Sequence, residues 1–153
     1  MHSHFLPNIL VRLYLEENAS LLKEISRSEI SELEVSKFKS KLMDLFRRAN
    51  FSHSAKLVDS IMVLGPNGCG SNILINDVPA YKDRSNFWSE KSENLRQFDH
   101  QLLSGFQLAT QSGPLCEEPM SGVGVRVLDW EVFDQSESFN ITETSGQEQF
   151  FIF

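Results

Sequence analysis

The sequence predicts an α/β domain in which helix packs on sheet in two layers. Three observations carry that reading. Leu95, Phe98, Leu102, Phe106 and Ala109 recur at steps of three and four, the period of one helix face. Val123, Val125 and Val127 alternate with Gly124 and Arg126, the period of a strand. Residues 60–64 (SIMVL) and 73–75 (ILI) read as two more short strands, joined by the turn-rich run Gly65-Pro66-Asn67-Gly68-Cys69-Gly70. The helix over 94–110 should pack on a sheet of these strands. Its core should include Phe98, Leu102, Phe106, Ile61, Val63, Val125 and Val127.

In chain order, the first eight residues read as a frayed leader. His2 and His4 have no further ligand nearby in sequence, so an exposed tail is expected rather than a metal pair. Pro7 suits a first helical turn. Leu10, Leu13, Tyr14, Leu21, Leu22 and Ile25 give a helical pattern broken by Glu16-Glu17-Asn18. After a polar joint, Ser31 and Glu34 stand at capping-box spacing. Phe38, Leu42, Leu45, Phe46 and Ala49 then mark a helix face ending near Arg48. Lys37, Lys39, Lys41, Arg47 and Arg48 read as a solvated face with cations near a helix C-terminus; the alternative is a contact to RNA or protein.

Residues 76–92 are polar, without period, and longer than an ordinary loop, which predicts an insertion that is flexible unless Trp88 docks. Gly113-Pro114 ends the following helix. A strand over 123–132 follows a tight loop. Its apolar phase flips after Val127 to Leu128, Trp130 and Val132, which predicts a bulge or a section covered on both faces. Residues 134–147 are polar and irregular, and 149–153 form a short apolar end.

Composition narrows the function. With 153 residues, 41% hydrophobic and 23% charged, the chain can bury a core of its own. Twelve Phe against two Tyr predict a core built on phenylalanine. No apolar run is long enough for a membrane span, and the start lacks the pattern of a signal peptide. Two Cys without such a signal predict reduced thiols in the cytoplasm. A formal net charge of −7 argues against free-standing nucleic-acid binding, which draws its affinity from neutralised phosphates.

The motifs point away from chemistry within this chain. GPNGCGSN lacks the Lys-Ser or Lys-Thr of a phosphate loop and lies between two strands rather than before a helix. Cys69 and Cys116 are too few for a zinc site, and His53 and His100 stand singly. Glu117 and Glu118 are adjacent, so they diverge in an extended segment and cannot flank one bond. They are expected to bond backbone amides of the turn. No catalytic, cofactor-binding or metal-ligating residue is assigned.

Two long stretches, SGFQLATQSGPLCEEPMSGV and VDSIMVLGPNGCGSNILIND, resemble the fourth domain of the elongation factor 2 family of ribosomal translocase GTPases. The resemblance covers residues 38–132 and weakens over 6–23. Leu108-Ala109-Thr110, Cys69 and Cys116-Glu117-Glu118-Pro119 resemble most the branch that matures the large ribosomal subunit. In the translocase, a loop after the strand at 123–132 holds a histidine that is modified. Here 134–147 contain no His, which favours the maturation branch over the translocase and the related spliceosomal GTPase.

The resemblance implies a fold shared with the second domain of a small-subunit ribosomal protein, here in incomplete form. It implies a helical segment at 1–30, a truncated fourth domain at 31–147 and a divergent tail at 148–153. It implies a part of a GTPase that contacts the ribosome, with GTP and magnesium held elsewhere in the parent. The implied partners are the large ribosomal subunit, the Shwachman-Bodian-Diamond protein and the anti-association initiation factor. The expected contact loops hold Gly65, Pro66, Asn67 and Gly68, and Gly113, Pro114, Glu117 and Glu118. A small independent enzyme is the alternative from another class, and no motif supports it. Truncation also predicts an open sheet edge and a marginally stable chain prone to associate.

Overall fold

A computed structural model of the chain describes residues 5–51, 55–79, 87–88, 99–113, 117–129 and 148–152. The elements are α1 (Phe5–Glu17), α2 (Ala19–Ser26), α3 (Glu32–Arg48), a 3-10 turn (Val58–Ser60), β1 (Ile61–Gly65), β2 (Asn72–Asn76), α4 (Asp99–Gln111), β3 (Val123–Val127) and β4 (Glu148–Ile152). The strands lie in the order β1-β2-β3-β4. β1 and β2 form an antiparallel hairpin, β2 and β3 are parallel, and β4 returns antiparallel to β3. Parallel neighbours need a crossover, and α4 lies within it. The chain is an α/β domain.

Every residue of β2 is buried. A strand with both faces covered loses the polar alternation of a half-exposed one. Leu74 faces α4 together with Met62, Phe106, Val78 and Val127. Ile73 and Ile75 face the opposite way, into a larger cluster with Val11, Leu15, Leu22, Phe38, Leu42 and Phe46. The expected layer of α4 on the sheet is there, and α1 to α3 cover the other face. Register shifts between Ile61 and Val63, so β1 carries an extra residue. That bulge lets both Met62 and Val63 reach the α4 side while Ile61 and Leu64 face the helical layer.

The helical layer follows from its sequence. α1 and α2 are separated at Asn18, whose side-chain amide donates to the Tyr14 carbonyl at 2.7 Å and competes with the backbone ladder. Ser31 caps α3 in extended conformation, but its hydroxyl donates to the Glu34 carboxylate at 2.8 Å instead of accepting from a backbone N–H. Tyr14 stacks on Phe38 with centroids 5.0 Å apart. Burial raises the Tyr14 phenol above its ordinary pKa of 10.0. The unfolded chain therefore loses that proton first, and its share of stability is full below pH 10 and is lost as pH climbs through the raised value. Tyr14→Phe should flatten the fall of the melting midpoint above pH 10 relative to the parent chain. Parallel curves for the two proteins would refute this.

Three expectations are corrected. The strand at 123–132 ends at Val127, because β2 stops beside it at Asn76 and the Asp77 N–H closes the ladder on the Val127 carbonyl at 2.9 Å. Arg126 and Asp77 pair at the same place. Trp130 and Val132 lie outside the described residues. Residues 148–152, read from the sequence only as a short apolar end, pair with β3 over five positions as a fourth strand. On α4, Ala109 is exposed and Thr110 is buried in its place. The buried line runs from Phe106 to Thr110 because both lie against Gly65, where β1 comes too close to admit a Cβ. Leu102 is half-buried on the same face; Leu95 and Phe98 lie outside the described residues. Val63 and Val125 are likewise half-buried, whereas Ile61, Phe106 and Val127 are buried as expected.

Candidate functional site

Both expected contact loops sit at one end of the sheet, where β1 ends and β2 and β3 begin. The first, 66–71, closes the β1–β2 hairpin. It turns through a cis Gly65–Pro66 bond and positive φ at Asn67 (59°) and Gly68 (74°). Gly70 has no room for a side chain, because a Cβ there would overlap the Gly65 carbonyl. The second loop follows α4. The Gly113 N–H donates to the Glu118 carbonyl at 2.8 Å, and the Met120 N–H donates to the Thr110 carbonyl at 2.8 Å. Glu117 takes φ of 54° at the corner. Glu117, Glu118, Pro119, Ser121 and Asn67 are exposed; Pro66 and Gly68 are half-exposed; Gly65 is buried beneath them. Pro114 and Cys116 lie outside the described residues, as does His53.

The side chains that assemble this end are ones that sequence reasoning passed over. Asn72 is fully buried, and its amide donates to the Gly65 carbonyl at 2.9 Å and the Met120 carbonyl at 2.7 Å. Its Oδ1 accepts from the Val123 N–H at 3.0 Å. One amide thus joins the two loops to β3. Gln107 on α4 donates from Nε2 to the Leu64 carbonyl at 2.8 Å and accepts at Oε1 from the Gly68 N–H at 3.3 Å. Glu16, at the end of α1, accepts from Ser121 Oγ at 2.6 Å and Ser71 Oγ at 3.2 Å. The only hint in the sequence was polar Asn72 at the start of an apolar strand.

The hairpin loop does not fit a nucleotide phosphate. A phosphate cradle needs backbone N–H groups aimed at the ligand. Here the Gly68 N–H is held by Gln107, and the Cys69 and Gly70 N–H groups donate to the Pro66 carbonyl at 3.4 and 3.1 Å. The loop also joins two antiparallel strands, so no helix N-terminus opens from it as in a phosphate loop. Its geometry suits a shaped surface. Cys69 is a free, half-buried thiol packed on the larger core, and His100 is exposed on α4.

The basic run on α3 does not form one free cationic face. Lys39 pairs with Asp59 and lies 5.6 Å from the Trp88 ring centroid. Arg47 pairs with Asp44 at 3.0 Å. Lys37, Lys41 and Arg48 are exposed. Within the 76–92 insertion, Trp88 docks. Its indole N–H donates to the Val58 carbonyl at 2.6 Å, and its ring meets Phe38 and Phe87 at 6.0 and 5.1 Å. Among the described residues no helix is long and apolar enough to cross a membrane.

These features define a class: an α/β domain that presents two braced loops at one end of its sheet. Comparison with known proteins gives the family. Residues 6–77 match the family described as "Elongation factor-like GTPase 1-like domain". The chain is similar to mouse Elongation factor-like GTPase 1, with 32% identity over 83% of this chain and 13% of the relative. It is similar to the human protein of that name, with 34% identity over 61% of this chain and 9% of the relative. It is also similar to Ribosome assembly protein 1 of Schizosaccharomyces pombe, with 28% identity over 78% of this chain and 12% of the relative. The chain belongs to the elongation factor 2 family, with its resemblance to the elongation factor-like GTPase 1 branch. It spans between 9% and 13% of the length of these relatives.

Proposed function

We propose that this chain is a ribosome-contacting part of a GTPase that acts in cytoplasmic maturation of the large ribosomal subunit. The observation that carries the reading is its similarity, over 78% of its length, to a relative named as a ribosome assembly protein. The loop end supports it, because it offers a shaped surface with Asn67, Glu117, Glu118, Pro119 and Ser121 exposed. In this reading GTP and magnesium bind elsewhere in the parent protein. This part works by position, with the parent acting beside the Shwachman-Bodian-Diamond protein to release the anti-association initiation factor. The overall acidity of the chain suits protein contacts and short RNA contacts within an assembly better than wrapping of free RNA.

The test is cosedimentation of the 153-residue chain with purified ribosomal subunits, with a labelled GTP analogue titrated in parallel. Saturable association with large subunits, and no saturable nucleotide site, is the expected result. Failure to associate with large subunits would refute the contact role. Micromolar nucleotide binding would refute the placement of GTP elsewhere.

A further inference from the structure

We propose that residues 66–71 of the hairpin loop and 117–121 of the second loop form a single preformed surface, and that Gln107 and Asn72 are the positioning residues that set its shape. As a statement about binding, this rests on the contact reading above. Gln107 uses both ends of its amide on the hairpin loop, one at the Leu64 carbonyl where β1 leads into the turn and one at the Gly68 N–H near the tip. The tip cannot lift from α4 without breaking one of these bonds. Three residues further along the same helix, the Thr110 carbonyl accepts from the Met120 N–H of the second loop. The last turn of α4 therefore holds both loops. Asn72 closes the circuit from the other side through the Gly65 and Met120 carbonyls.

Each loop is tied twice, once to α4 and once to Asn72. In a closed circuit of this kind, releasing one tie loosens the others. A surface ordered before binding loses less conformational entropy when a partner arrives. Gln107 is only half-buried, so it contributes little to the core. It can be changed without unfolding the domain, which separates positioning from stability.

The experiment is native-state amide hydrogen exchange on the full chain with Gln107→Ala, and with Gln107→Glu as a second variant of nearly equal size. Loss of one hydrogen bond should speed exchange at the Gly68 N–H by about tenfold. Exchange at Gly113 and Met120, on the other loop, should rise by at least about threefold, while the melting midpoint moves by no more than about 2 °C. Gln107→Glu keeps an acceptor for Gly68 but sets a carboxylate against the Leu64 carbonyl, so it should also speed exchange at Met120. Faster exchange at Gly68 alone would overturn the single-surface proposal. So would a uniform rise across the domain, because that reports global destabilisation. In cosedimentation, Gln107→Ala should weaken association with large subunits about fivefold through lost preorganisation. Coupled exchange with unchanged association would keep the single surface and overturn its part in subunit binding, whereas failure of the parent chain to associate would overturn the contact reading itself.

Discussion

Asn72→Asp should destabilise the domain by about 3–5 kcal/mol at neutral pH, a large share of the roughly 5–15 kcal/mol that holds an ordinary domain folded. The substitution preserves shape and removes both N–H donors. It leaves a carboxylate facing the Gly65 and Met120 carbonyls in a site with no solvent exposure. Desolvation and those two carbonyl dipoles all favour the neutral acid, so the carboxyl's pKa in the folded variant is raised above its unfolded value. A group of this kind adds stability as pH falls. The variant should therefore regain part of its loss below the raised folded pKa, and most of it below the ordinary carboxylate value. Urea unfolding of the variant and the parent chain at several pH values reads both effects. A loss under about 1 kcal/mol, or no pH dependence beyond that of the parent, would show that Asn72 does not hold the loops together.

Phe46→Ala should cost about 3–5 kcal/mol, near the upper end of that range. Phe46 has no solvent exposure and belongs to the larger cluster, where α3 meets the sheet through Ile61, Ile73 and Ile75. Truncation there removes a ring from a fully buried cluster, and the space left is filled only in part by its neighbours. Phe106→Ala should fall near the lower end, since Phe106 keeps 8% exposure and sits in the smaller cluster beside α4. Its ring also packs against Gly65, so its loss should loosen the hairpin loop as well as the core. Thermal and denaturant unfolding of the two variants settle the order. A smaller loss for Phe46→Ala than for Phe106→Ala would mean that the α1–α3 layer is not the main core.

Much of the local structure was legible in the residues. The helix at 32–48 was visible from the spacing of Phe38, Leu42, Leu45 and Phe46, because a buried face repeats with the turn of the helix. The hairpin was visible from Gly65-Pro66-Asn67-Gly68, because these residue types satisfy backbone conformations that others resist. The choice of contact loops came from the same turn signals together with the family resemblance. The docking of Trp88 was readable only as a condition, because an indole in a polar stretch states a need for partners and does not name them. The true end of β3 was not readable. The apolar phase flips after Val127, which fits a bulge as well as an end, while the strand stops where its neighbour turns away at Asp77.

Residue pattern alone was enough to place the main helices, the cores of β1 to β3 and the turn between β1 and β2, but it showed residues 148–152 only as an apolar end and not as β4. That α1 to α3 cover the sheet face opposite α4, and that the two loops meet, became visible only in the folded chain. The reason is the range of the forces. Period and turn chemistry act between residues a few positions apart. Asn72 instead meets Met120 across 48 positions, and Gln107 meets Leu64 across 43. The groups they hold are backbone carbonyls and N–H groups, which every residue type but proline carries, so no pattern in the side chains marks those partners before the chain has folded.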